Sequence, residues 1–559
     1  MSTKSFEPPS RIAKTCEIAR IYSECDLINF ESDSHALVDH DDSHATNSIE
    51  ESKPPAVSKR FTVERMDEKI VEAKYAVRGT VAVKAAQLKG ALARGETLPF
   101  KSLTLCNIGN PHAVKQKPIT YYRQVAAAMY MPELASDSSK LVASGLFPED
   151  VVRRAAEYHG ATGGSGVGAY TDSIGLQLVR EQVAAFLAER DGYPADPALI
   201  ALTTGASEGV KRCISALIQT SDCGIMIPKP QYPLYSAALT MSGGHAVYYN
   251  LDEAAGWRTT WAELERAYNA ASQSGVQVCA LAMINPGNPV GAVLDEVDVA
   301  MIVSFAASRG LVVLADEVYQ VNIYAEGKSF HSCRKVLHKL QDRSLPAPTE
   351  ATTSTDGISF HVQLQAAQLI SFHSTSKGLI GECGQRGGYH DFVGFSERTL
   401  AQFMKVAATS LSSNTIGQIF VGLMVRGPAA SEASARLFEE ETASIMAGLK
   451  RRALLGSARL NKIKGISCQP IEGAMYAFPS IDLPSRFAAH CKSNGQEPDE
   501  AWCITLMEKT GIVGVPGSGF GQKSGTWHVR LTILPADDIF EQMLDGLEKF
   551  QTEFYERWA

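Results

Sequence analysis

Leu369-Ile-Ser-Phe372-His-Ser-Thr-Ser-Lys377-Gly-Leu-Ile-Gly381-Glu-Cys-Gly-Gln-Arg386-Gly-Gly-Tyr389 is the stretch whose reading decides the fold. A short β-prone run, 369–372, breaks off into hydroxyls, a lysine, glycines and an arginine. In an open α/β sheet, ligands collect beyond the carboxyl ends of the strands, so this loop is where chemistry should sit. A lone lysine is usually a surface charge. Lys377 lies among small residues that can close around it, and a lysine held in a dry pocket loses its proton easily and becomes nucleophilic.

Upstream, similar β-prone runs recur at Ile200–Thr203, Gly224–Ile227, Ala246–Tyr249, Val278–Ile284 and Leu311–Ala315. Helix-like stretches such as Ser207–Gln219 and Glu296–Ser308 lie between several of them, and this alternation predicts a mostly parallel sheet covered on both faces. Three of the runs also end in informative loops. Thr204-Gly-Ala-Ser-Glu-Gly209 opens a helix with small residues, where free N–H groups favour an anion, although taken alone an ordinary turn capped by Ser207 is the better reading. Asn285-Pro-Gly-Asn-Pro-Val-Gly291 is a rigid loop able to project Asn288. Asp316-Glu-Val-Tyr319 puts a carboxylate at the end of a buried strand, where a helix cap is the plainer reading.

The remaining regions read differently. Nine acidic residues and no Lys or Arg lie between Glu24 and Glu51, so residues 1–60 read as a flexible acidic tail. His35, His40 and His44 belong to that solvated tail rather than to a metal site, and no metal is expected. Residues 61–94 read as helical, stopped by Gly95. Within 335–367, Ser344-Leu-Pro-Ala-Pro-Thr and the Thr-rich run from Ala351 read as a surface insertion. The domain reading is an N-terminal arm with part of a small domain over 61–150, a large domain over 151–430 and a small α+β domain over 431–559.

The 559 residues carry a net charge of −8 and no basic cluster interleaved with aromatics. This speaks against a nucleic-acid partner, and no apolar run is long enough to span a bilayer. Eleven scattered cysteines without metal-ligand spacing read as reduced structural thiols. The opening holds Lys4, Arg11, Lys14 and Arg20 but is interrupted by Glu7 and Glu17. The expected location is therefore the cytoplasm, with mitochondrial import second.

Taken together, the four loops resemble the fold-type I enzymes that depend on pyridoxal 5′-phosphate (PLP), and more closely the alanine aminotransferases. Val515-Pro-Gly-Ser-Gly-Phe-Gly-Gln522 and Arg530-Leu-Thr-Ile-Leu-Pro535 add to the likeness, which runs in order over residues 61–559. Val290 and Val321 depart from the family pattern, at positions without a catalytic role.

The resemblance implies roles residue by residue. Lys377 would hold PLP covalently and move the substrate proton. Asp316 would face the pyridine nitrogen, Tyr319 and Asn288 the ring oxygen, and Tyr232 the ring face. Ala206, Ser207, Ser374 and Arg386 would hold the phosphate, joined by Tyr170 across the interface of a homodimer. Arg530 would clamp the substrate carboxylate, and Gly109 and Asn110 would lie where the small domain closes. The implied reaction moves an amino group from L-alanine to 2-oxoglutarate, giving pyruvate and L-glutamate. The rivals are a glutamate–glyoxylate aminotransferase and a non-catalytic PLP-binding regulator.

A different class shares the order Ser374-x-x-Lys377, Ser412-x-Asn414, Lys509-Thr-Gly511: the penicillin-recognising serine enzymes. That reading needs Lys377 on a helix and Lys509 on a strand. Gly378 disfavours the first and the helical stretch 502–508 the second. Gly164-x-Gly-x-Gly168 lacks the spacing and the preceding strand of a dinucleotide loop.

Overall fold

A computed structural model describes residues 62–75, 79–131, 133, 138–352 and 359–558. The acidic tail and its histidines lie outside the described residues, and a compact unit begins at Val63. Its centre is a seven-stranded sheet. In chain order the strands are β1 (Ile200–Thr203), β2 (Cys223–Lys229), β3 (His245–Asn250), β4 (Gln277–Ile284), β5 (Val312–Asp316), β6 (Leu369–Ser374) and β7 (Gly388–Val393). They lie side by side as β1-β7-β6-β5-β4-β2-β3. Neighbours from β6 through β3 run parallel, while β7 runs antiparallel to both β6 and β1. The expected mostly parallel sheet is therefore present.

Helices cover both faces because the central strands are apolar on both sides, with β5 and β6 buried along their whole length. One buried cluster joins Val210 and Ile214 to Ile225, Leu314 and Phe372. A second, on other residues of the same strands, joins Leu281, Val313 and Leu369 to Val299 and Phe305.

The strand missed from sequence is β7. It carries His390 and Asp391, both buried, instead of an apolar run. Asp391 faces Arg334 at 3.3 Å, and Arg334 also meets Asp191, so an ion-pair group supports the strand where hydrophobicity does not. Residues 61–94 are not one helix. Asp67 caps Glu68–Glu72, Ala73 is extended, and a new helix, Thr80–Ala93, starts after Gly79. The stop at Gly95 stands, with φ at +80°. Ahead of the two runs read as a surface insertion, helix Cys333–Gln341 buries Val336, Leu337 and Leu340.

Lys377 follows β6 in a turn, and Lys509 lies in helix Pro498–Thr510, capped by Gly511 in the left-handed region. Both placements contradict the serine-enzyme motif. Gly164 to Gly168 follow a helix, not a strand. The C-terminal part mixes the long helices Ala435–Leu460 and Asp537–Trp558 with two short sheets. The nine described cysteines are all free. No described helix is long and apolar enough to cross a membrane.

Gly388 ties the sheet to the loop after β1. A side chain there would press on backbone: Ala206 N at 2.8 Å and His373 O at 2.9 Å. Gly388→Ala should destabilise the fold by roughly 1–3 kcal/mol and lower the midpoint of thermal unfolding by calorimetry. An unchanged midpoint would show that the contact can relax.

Candidate active site

The loops after β1, β4, β5 and β6 meet in one cleft of about 750 Å³. Lys377 stands at its centre, its Nζ donating to the Gly109 carbonyl at 2.5 Å. A side chain on Gly109 would run into the Tyr476 hydroxyl and lie 3.1 Å from Lys377 Nζ, so one larger than glycine would displace both groups.

One end of the cleft is built for an anion. Helix Ala206–Leu217 begins there behind Gly205, which has positive φ and no side-chain cap. Ser207 is thus inside the helix and is not its cap. The first amides of a helix have no acceptor within it, and their dipoles favour negative charge. Arg386, itself left-handed at φ 56°, donates to the carbonyls of Thr204 and Cys383 and to Ser376 Oγ. A side chain at Gly205 would collide with that guanidinium at 2.4 Å. Ser374 lies on the same wall and donates to the Gly387 carbonyl at 3.1 Å.

Asp316 ends β5 in the middle of the cleft. Burial pushes its carboxyl up from the ordinary 3.8 to about 6, against the Tyr235 hydroxyl, the Val318 amide and the Lys377 charge. Tyr235 donates to it at 3.2 Å. No described cation is paired with it, so the pocket leaves a carboxylate that a ligand N–H could satisfy. Tyr232 also lines the cleft, its hydroxyl hydrogen-bonded to that of Tyr75 at 2.8 Å.

At the other end lies Arg530, 2% exposed. It donates to Asn288 Oδ1 at 3.0 Å and to the Asn107 carbonyl at 2.6 Å. Its Nε has no partner, and no described carboxylate pairs with it. A buried cation held only by neutral acceptors costs several kcal/mol unless an anion joins it. The Tyr319 and Tyr476 hydroxyls meet at 3.2 Å beside it. Burial alone would raise the Tyr476 phenol, but the Lys377 and Arg530 charges outweigh it and hold that phenol below its ordinary value.

Eleven of the thirteen residues singled out from sequence line this cleft. Asn110 and Tyr170 do not. Asn110 Oδ1 accepts the Ala113 amide in the neighbouring turn, and Tyr170 is 77% exposed on its own chain. Sequence reasoning missed Tyr476 and Tyr235. Gly473-Ala-Met-Tyr-Ala-Phe478 reads as ordinary core, and nothing local reveals that Tyr476 reaches Arg530. Tyr235 stands three residues beyond Tyr232, at the start of helix Leu234–Ser242, and a tyrosine so near a cleft residue was the available signal.

Lys377, two guanidinium groups and a buried carboxylate thus line one cleft at the carboxyl edge of a mostly parallel sheet. Residues 136–543 match the aminotransferase class I and II family, and the chain belongs to that family. It is 41% identical to a probable mitochondrial alanine aminotransferase of Dictyostelium discoideum, over 89% of this chain and 90% of that one. It is 42% identical to glutamate–glyoxylate aminotransferase 2 of Arabidopsis thaliana, over 90% and 98%. Among solved structures, the alanine aminotransferase of Pyrococcus furiosus shares the fold with a TM-score of 0.64 at 23% identity, covering 88% of this chain and all of that one. The protein is a transaminase.

The raised Asp316 carboxyl gives the cofactor-free protein a pH signature. Its folded pKa lies above the unfolded value, so the stability from the protonated acid is fully present below pH ~4 and is lost as pH rises through about 6. Denaturant titrations from pH 4 to 7.5 should show that loss, and Asp316→Asn should reduce it, the remainder belonging to Glu317 and Asp391, whose carboxyls burial also pushes up to about 7. An identical slope in the variant would contradict the assignment.

Proposed function

We propose that the protein is a PLP-dependent alanine aminotransferase, catalysing L-alanine + 2-oxoglutarate ⇌ pyruvate + L-glutamate. The observation that carries this is the charge layout of the cleft. Two guanidinium groups with no carboxylate partner among the described residues, Arg386 and Arg530, line it together with Lys377 and a buried Asp316.

The residues fit PLP. The Ala206 and Ser207 amides, Ser374 and Arg386 would hold its phosphate. Asp316 would take the pyridine N–H, Tyr232 would cover the ring, and Asn288 and Tyr319 would face its ring oxygen. When bound, PLP supplies an electron sink and carries the amino group from donor to acceptor. Arg530 binds the substrate α-carboxylate with the planar donor fork that lysine lacks. Lys377 tethers the cofactor and, once released, carries the proton away from the substrate Cα. Gly109 and Asn110 would lie where the small domain closes over the substrate.

Segments 61–150 and 431–559 are proposed to act together as the small domain. Supporting this, Thr104–Leu105 pairs in parallel with Ile512–Val513. We also propose a homodimer in which exposed Tyr170 reaches the phosphate site of the other subunit, and a cytoplasmic location. The Dictyostelium relative is mitochondrial by name, so subcellular fractionation must decide between the two compartments.

The glutamate–glyoxylate reading has equal support in identity, and substrate choice separates the two. Purified protein should show a visible cofactor band that bleaches when L-alanine is added without an oxo acid. A band that bleaches with L-glutamate but not with L-alanine would favour the rival. Lys377→Ala should reduce turnover by at least roughly a thousandfold. Full activity in that variant would refute the lysine's role.

A further inference from the structure

Arg530 raises a question that the family roles leave open: what makes a buried, unpaired guanidinium tolerable before substrate arrives. Its two acceptors, Asn288 Oδ1 and the Asn107 carbonyl, are neutral, and its Nε is orphaned. Two aromatic rings lie against it. The Arg530 Cζ is 4.2 Å from the centre of the Tyr476 ring and 4.7 Å from that of Phe520. The negative face of an aromatic ring attracts a cation, most strongly where water is excluded.

Both rings are themselves held from distant parts of the chain. Tyr476 is buried and sits on a strand paired with the Arg530 strand. Its hydroxyl meets Tyr319. Phe520 ends the short turn Gly517–Phe520, and its carbonyl accepts the Gln231 amide at 2.8 Å. Buried Asp499 holds the same turn, accepting from the Ser518 amide at 2.7 Å and from Gln522 Nε2 at 2.9 Å.

We infer that Tyr476 and Phe520 are positioning residues that keep Arg530 dehydrated and aimed, and so set the affinity of the site for substrate carboxylates. The inference rests on the carboxylate-clamp reading of Arg530. It separates the Tyr476 ring, which the carboxylate needs, from the Tyr476 hydroxyl, which it does not.

The test measures glutarate binding to the cofactor-loaded enzyme by calorimetry. Glutarate has carboxylates but neither an amino nor an oxo group, so no turnover enters. Tyr476→Leu should weaken binding by about ten- to thirtyfold, and Phe520→Leu should weaken it in the same sense. Tyr476→Phe, which keeps the ring, should stay within about twofold of the parent. In steady-state assays of Tyr476→Leu, KM for amino acid and oxo acid should rise together by a similar factor, with a smaller change in kcat. A general loss of structure would not give that split or its rescue by phenylalanine.

Unchanged glutarate affinity in both leucine variants overturns the inference, and so does an equal loss in Tyr476→Phe. If Tyr476→Leu does not fold, Phe520→Leu and Tyr476→Phe still decide. Glutarate binding that survives Arg530→Ala overturns the clamp and the inference with it. Binding that depends on Arg530 but not on either ring overturns the inference alone.

Discussion

A buried positive charge without a negative partner is the constraint around which this molecule is arranged. Arg530 sits almost wholly out of water with a side-chain amide and a backbone carbonyl as its hydrogen-bond acceptors. Such a charge costs several kcal/mol, while a desolvated cation–aromatic contact returns about 2 kcal/mol. The balance is left for a ligand to supply. Arg386 repeats the theme at the far end, with carbonyls and a hydroxyl but no carboxylate. Asp316 is its mirror image, a buried acid with no ion-paired cation among the described residues. The folded chain thus holds three unmet electrostatic demands, and one ligand with anionic ends and a central N–H would meet all of them.

The sheet makes this arrangement possible. β1, β4, β5 and β6 run the same way and deliver the 204–209, 285–291, 316–319 and 373–389 loops to one edge. Glycines then allow the close approaches. Gly205 lets Arg386 lie across the start of a helix, and Gly109 lets Tyr476 and Lys377 share one small space. From the other end of the chain, the strand Val529–Thr532 and its neighbour Tyr476–Ala477 bring in the substrate-facing groups. Binding and chemistry therefore depend on contacts between residues hundreds of positions apart.

Much of this was legible in the sequence because the decisive signals are local. Apolar β-prone runs marked six strands, and the loops after four of them held their chemistry within a few residues. What escaped depends on tertiary contact. β7 carries His390 and Asp391 inward, and Asp391 is held by Arg334 from a helix that precedes it by more than forty residues. Asp67 and Gly79 begin separate helices where residues 61–94 had an unbroken helical look. Tyr476 hides in an apolar stretch, and its role comes from Arg530 and Tyr319, neither of them a sequence neighbour. Tyr170 is exposed on its own chain, so its assigned role belongs to an assembly rather than to the fold of one subunit.

Chemical trapping tests the central claim, that the cleft is built around Lys377 as the point of cofactor attachment. PLP-loaded protein would be reduced with borohydride, digested and mapped by mass spectrometry. The account predicts a phosphopyridoxyl group on the peptide containing Lys377 and on no other lysine. An adduct elsewhere, or none on a protein saturated with PLP, would contradict it.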